Sequence, residues 1–201
     1  MANCGQATLR GTEMVVECDD NWDCCQRAQA KAKVDRMNTG LREYSNPVVR
    51  PPGFSRAKGD DWCKSNRNQF DKLSSKDQAD RARKAQAPEC LAKQLEGDPT
   101  ASPPKPPQTR ESLNLALDHP LDMKLGGPPM PMNLLPLDPK VNGAFGSFAR
   151  NVGDKLGAGN KLDRVSLVCP PSSPGCPAEN HSVGTAAPIA PTEWKTTYSP
   201  S

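Results

Sequence analysis

Across forty residues the apolar positions switch from a period of two to a period of about 3.6, and that switch constrains the fold more than any other feature. Leu113, Leu115 and Leu117 alternate with Asn114 and Ala116 and run into Asp118 and His119, the pattern of a half-buried strand. Gly126 and Gly127 mark a turn, and residues 133–137 offer a second short strand. Asp138 followed by Pro139 is a helix start, with the Asp side chain as cap and Pro at the first helical position. Val141, Phe145, Phe148 and Val152 then recur at helical spacing, a stripe able to pack on the hairpin, and Gly153 is expected to end the helix. Strand, strand and helix in this order make a ββα unit.

The rest of the chain limits how large a core can form around it. Only 35% of the 201 residues are hydrophobic and 4% aromatic, against 22 Pro and 15 Gly, so much of the chain must be turn, linker or tail. Eight cysteines permit disulfide stapling in compensation. Cys24 and Cys25, adjacent on a helix, point about 100° apart and need different partners, while Cys169 and Cys176 bracket a Pro-rich loop and are the simplest local pair. With no CxxC or CxxH spacing, structural zinc is not expected.

Upstream, Asp19, Asp20 and Asn21 offer caps for a helix carrying Trp22, Cys25, Ala28, Ala32, Met37 and Leu41, ending before the Pro-rich turn at 46–53. A second helix is predicted over 66–87, with Phe70, Leu73 and Ala82 inward, and a short third over 88–95. The expected fold is therefore α+β and mainly helical. It divides into a Cys-containing helical region over 1–96, a Pro-rich linker over 97–109, the ββα unit over 110–165 and an irregular tail over 166–201.

The net charge of +3 is unevenly spread. Residues 1–25 hold one Arg against five acids, 26–110 hold 18 Lys or Arg against 10 acids, and 111–201 hold 7 against 8, for balances of −4, +8 and −1. A basic middle is the footprint of a chain drawn to phosphates, or simply a solvated helical surface. The first twenty residues contain Glu13, Glu17, Asp19 and Asp20 and lack a basic start before an apolar run, so no secretory signal is expected. No segment nears the roughly 18 continuous apolar residues of a membrane span, so no membrane insertion is expected.

The polar residues of the ββα unit carry a resemblance. An acidic residue and His ending the first strand, Asn opening the second and Asn on the helix resemble the HNH endonuclease pattern. Here these are Asp118, His119, Asn133 and Asn142, with fourteen residues from the His to the first Asn and twenty-three to the second. The resemblance implies that His119 is the general base, a task suited to an imidazole with an ordinary pKa of about 6.5. It implies that Asp118 and Asn142 ligate one divalent cation, most simply Mg²⁺, and that Asn133 braces the loop so that His119 points correctly. Arg150 is the expected phosphate contact, with Lys140 and Lys155 beside it on the same helix. Two features depart from the pattern: no CxxC pairs flank the motif, and Phe145 stands where a basic residue commonly follows the last Asn.

A small HNH unit joined to a Cys-containing helical region also resembles the toxin domain of a bacterial polymorphic toxin delivered by a specialised secretion apparatus. That implies DNA as substrate, with RNA the alternative, and an acidic immunity protein as partner. A rival of another class is a disulfide-stapled binding module in which the ββα unit is only a scaffold. A Cys-His hydrolase finds little support, since the second His, His181, falls in the irregular tail.

Overall fold

A computed structural model describes residues 4–44, 47–51, 57–128 and 134–169. Among them the protein is α+β, with five strands and five helices. The chain begins not with helix but with a hairpin, β1 (Cys4–Arg10) and β2 (Glu13–Asp19), turned at Gly11, whose φ of +61° favours glycine. The expected all-helical start is thus corrected. Met14, Val15 and Val16 are consecutive buried residues, the signature of a strand covered on both faces rather than of an alternating one.

Helix α1 (Cys24–Glu43) follows, capped by Asp23 rather than by the acids upstream. Asp23 accepts from the Gln26 backbone N–H while the Gln26 side chain returns to the Asp23 N–H, a capping box. The single helix predicted over 66–87 is two, α2 (Ala57–Asp71) and α3 (Ser75–Lys84), because the Ser74 hydroxyl caps a new start by accepting from Asp77 N–H. Helix α4 (Glu89–Glu96) matches its predicted span and lies against α3.

The connector at 97–109 is largely exposed, as expected, and folds back on itself: Asp98 and Lys105 exchange backbone hydrogen bonds of 2.8 and 2.9 Å. Strand β3 (Ala116–Asp118) is shorter than the alternation from Leu113 suggests. Residues 109–114 form a turn instead, held by reciprocal Thr109 and Ser112 bonds, with Asn114 at a φ of +53° that Asn tolerates better than most residues. After a 3-10 turn at Met123–Leu125 come β4 (Leu135–Leu137), α5 (Pro139–Leu156) and β5 (Arg164–Val168).

Helix α5 starts as predicted, with Asp138 as cap and Pro139 at its first position, and Val141, Phe145, Phe148 and Val152 are all buried. It does not stop at Gly153. That glycine is inside the helix and lets the Lys124 stem approach, since a Cβ there would lie 3.0 Å from Lys124 Cγ and Cε; the helix ends at Gly157, φ +87°.

Two sheets result. The first has the order β1-β2-β5, antiparallel between β1 and β2 and parallel between β2 and β5, from Glu13↔Arg164 to Glu17↔Val168. The second is the antiparallel pair β3-β4. Residues 166–168, expected in the irregular tail, therefore belong to a strand. One continuous core draws on β2, α1, α3, α4, β4, α5 and β5, so residues on both sides of the Pro-rich connector share it.

Two disulfides fasten this core. Cys18 pairs with Cys169, joining β2 to the end of β5, and Cys25 pairs with Cys90, joining α1 to α4. The expected Cys169–Cys176 bridge is corrected: strand pairing brings Cys169 to Cys18, and Cys176 lies outside the described residues. Cys24 is also disulfide-bonded, so the neighbours Cys24 and Cys25 do take different partners.

The Cys18–Cys169 bridge closes a loop of 151 residues in sequence. Its chief effect is on the unfolded chain, so Cys18→Ser is expected to lower unfolding stability by about 3–5 kcal/mol. Urea denaturation of variant and parent checks the loss. Peptide mapping without reductant checks the pairing, with fragments containing 18 and 169, and 25 and 90, each expected to travel together.

Candidate active site

The site residues named by sequence are positioned by the small hairpin and its neighbours. Ala116 faces Leu137, Leu117 faces Pro136 and Asp118 faces Leu135. Asp118 is thus at the loop end of the pair, with His119 next to it, while the start of α5 is at the other end. Helix α5 packs against β3 and against the 3-10 turn beyond His119, where Asp154 meets Lys124 at 2.7 Å. The LGG turn is shaped by contact: a Cβ on Gly127 would fall 1.9 Å from the Leu121 carbonyl oxygen.

The group that meets Asp118 and His119 comes from α1. Lys33, whose side chain is only 1% exposed, places Nζ 2.5 Å from Asp118 Oδ2 and donates to the His119 carbonyl oxygen. Asp118 itself keeps 15% exposure and His119 8%. One turn earlier on α1, Gln29 Oε1 accepts from the Asp138 N–H at 2.7 Å, so the same helix face touches the loop end of β3 and the start of α5. Arg36 is buried on that helix as well; burial pulls its guanidinium down to about 10, against smaller upward pushes from Tyr44 and Glu43. It remains charged at neutral pH.

Of the predicted residues, Asp118 and His119 are together at this corner. Asn142 is half-buried in the first turns of α5, its backbone N–H donating to the Asp138 carbonyl, and its amide does not bond Asp118. Asn133 lies outside the described residues. Lys140, Arg150 and Lys155 are all exposed on α5. At about 100° per residue, Arg150 is about 80° round the helix from Asn142 and Lys140 about 160° round it. The three cations consequently define the solvent side of α5, and Arg150 is the nearest of them to Asn142's side.

Sequence reasoning missed Lys33 and Gln29. A signal was present: Gln26, Ala30, Lys33, Met37 and Gly40 follow one another at steps of three and four, so Lys33 sits on the inward stripe of α1. A lysine at such a position must find a buried partner.

The carboxylate of Asp118 and the amide oxygen of Asn142 are hard donors of the kind Mg²⁺ takes. Among the described residues, no group of three or more His, Cys, Asp or Glu side chains is gathered for a metal. Lys33 already neutralises Oδ2, and a dication about 4 Å from an ammonium is opposed by about 8 kcal/mol at an effective dielectric of 20. With the ammonium on Oδ2, the Asp118 carboxylate is committed to Lys33, and no bond joins it to the Asn142 amide. No family model, curated protein or solved structure matches the chain. Among the described residues no helix is long and apolar enough to cross a membrane.

Because the Gly127 position is in contact with backbone, Gly127→Ala forces the loop after His119 to shift. It is expected to destabilise the fold by about 1–3 kcal/mol, as overpacking does, whereas Gly143→Ala, which meets open space on α5, should stabilise by up to about 1 kcal/mol. Paired denaturant titrations check both signs.

Proposed function

We propose that this protein is a metal-dependent endonuclease of the HNH type that hydrolyses phosphodiester bonds in DNA with little sequence preference. The observation that carries the reading is the Asp118–His119 corner at the end of β3, followed by β4 and by a helix that starts at Asp138 and carries Asn142 in its first turns. The strand, strand, helix order of this segment and the places of Asp118, His119 and Asn142 in it support the reading.

In this reading the His119 imidazole takes a proton from a water as the water oxygen bonds to phosphorus, and the opposite P–O bond breaks to release the leaving oxygen, which takes up a proton from solvent. Asp118 and Asn142 would be the residues to hold a divalent cation, which would neutralise charge on the phosphate and the departing oxygen. The resemblance gives Asn133, outside the described residues, the role of bracing the loop that orients His119. Arg150, Lys140 and Lys155 draw the backbone of the nucleic acid onto α5 by phosphate contacts, which attract without reading sequence. We further propose that the chain acts as an antibacterial toxin delivered by a secretion apparatus, and that an acidic immunity protein covers the basic face in the producing cell.

One observation favours the second reading, a non-catalytic stapled module. The Lys33 ammonium on Asp118 joins α1 to β3 in the manner of a structural ion pair, and two disulfides fasten the same core. The two readings part on cleavage. Incubated with supercoiled plasmid in Mg²⁺, the oxidised full chain is expected to nick it, and excess chelator to stop the reaction. His119→Ala should cut at least about 100-fold more slowly, the range for losing a general base. Plasmid left intact by the parent protein in Mg²⁺, with RNA also intact, would remove the enzyme reading and leave the module.

A further inference from the structure

Cys25 and Cys90 join α1 to α4 through a disulfide whose two sulfurs have different surroundings. Cys90, half-buried, lines a cavity of about 270 Å³ between α4 and the folded-back connector, together with Lys93, Gln94 and Lys105. Cys25 is the second residue of the twenty-residue α1, and its Sγ accepts from Gln29 Nε2 at 3.6 Å and from Gln94 Nε2 at 4.0 Å. We propose that this bridge is a thiol–disulfide exchange site for a small dithiol, attacked at Cys90 from the cavity and opened by departure of the Cys25 thiolate. Such exchange is independent of whether the Asp118–His119 corner cleaves nucleic acid.

Exchange needs a sulfur open to attack and a second sulfur that leaves as a stabilised thiolate. The cavity supplies the first. A reagent thiol that has given its proton to solvent brings a negative charge into a space walled by Lys93 and Lys105, while Asp98, also in the lining, has Oδ1 engaged by Thr100 and the Ala101 N–H. Cys25 supplies the second. Its place in the first turn puts the departing charge at the positive end of α1, and two amide N–H groups are already aimed at the sulfur. Gln29 is held in that pose because its Oε1 accepts from the Asp138 N–H at 2.7 Å.

In the first step the reagent sulfur bonds to Cys90 Sγ as the Cys25–Cys90 bond breaks, and the electron pair leaves with Cys25. The second reagent thiol, deprotonated in turn, attacks the mixed disulfide, closes its own ring and releases the Cys90 thiolate. The dithiol is oxidised by two electrons, the bridge is reduced by two, and the two cysteines take back from solvent the protons that the reagent gave up. Cys18–Cys169 offers no such route, since attack at the half-buried Cys169 would leave a thiolate on Cys18, which is 1% exposed on the central strand. Opening the Cys25–Cys90 bridge leaves Leu91, Ala92 and Leu95 of α4 in the core, so the tie between the two helices is released while the chain stays folded.

The test treats the oxidised full chain with dithiothreitol, quenches time points with iodoacetamide and maps the label by mass spectrometry after digestion. Label at Cys25 and Cys90 is expected to rise at least about tenfold faster than at Cys18 and Cys169. With reduced glutathione instead, the glutathionyl group is expected on Cys90 and the label on Cys25. Gln94→Leu, at an exposed position on α4, is expected to slow opening of the 25–90 bridge about threefold and to leave the 18–169 bridge unchanged. Opening of Cys18–Cys169 as early as Cys25–Cys90, or glutathione on Cys25 with label on Cys90, overturns the proposal; both readings come from the parent protein and need no variant. A folded Gln94→Leu that opens at the parent's rate removes Cys25 as the stabilised leaving group and overturns it as well.

Discussion

The polar side chains along α1 supply hydrogen bonds that strands this short cannot supply for themselves. β3 and β4 are three residues each, and a ladder of that length leaves much of its backbone to be satisfied elsewhere. Gln29 accepts from Asp138 N–H, Lys33 donates to the His119 carbonyl, and Asn38 both donates to the Val165 carbonyl and accepts from its N–H. Three side chains on one helix thus meet the start of α5, the end of β3 and the middle of β5. Each bond contributes only about 1 kcal/mol net, but a buried group left without its partner costs about 1–3 kcal/mol, so the three fix where the later chain can sit.

That arrangement explains why a helix with so polar a composition is half inside the protein. Ala28, Ala30, Ala32, Val34, Met37 and Leu41 bury apolar surface, and the buried polar residues between them are tied to backbone from distant segments. The parallel pairing of β2 with β5 and the Cys18–Cys169 bridge then hold the two ends of the described chain side by side in one sheet. A similar device works at the other end of the connector. Arg110 grips Asp71 through two bonds and donates to the Leu115 carbonyl, while the buried Gln78 accepts from the Arg110 N–H. The turn leading into β3 is therefore held by helices that precede the Pro-rich stretch, and the site corner is built by both halves of the sequence.

Much of the local structure was legible because its causes are local. Asp138-Pro139 starts a helix wherever the backbone is free to turn, and the Val141, Phe145, Phe148, Val152 stripe needs only one apolar surface to lie on. Other signals were misread for physical reasons. Asp19, Asp20 and Asn21 suggested capping, but Asp19 ends a central strand whose apolar run at 14–16 lacks period-two alternation because both faces are covered. The break between α2 and α3 rests on one serine hydroxyl, and Gly153 read as a stop although it is a packing surface for Lys124. In the candidate site Asp118 and His119 were legible as neighbours in sequence. Their meeting with Lys33, eighty-six residues from His119, was not.

By itself the sequence determined the short-range elements: the strand-strand-helix order around Asp118 and His119, the capped start of α5, the position of α4 and the exposed Pro-rich connector. These depend on side-chain periodicity and on hydrogen bonds between residues a few positions apart, which any stretch of chain carries with it. Only the tertiary structure decided that Cys169 meets Cys18, that residues 164–168 become a strand, and that a lysine neutralises Asp118. Such pairings form between groups that have no reason to meet until burial brings them together, and a buried charge or strand edge then takes whichever partner the packing presents.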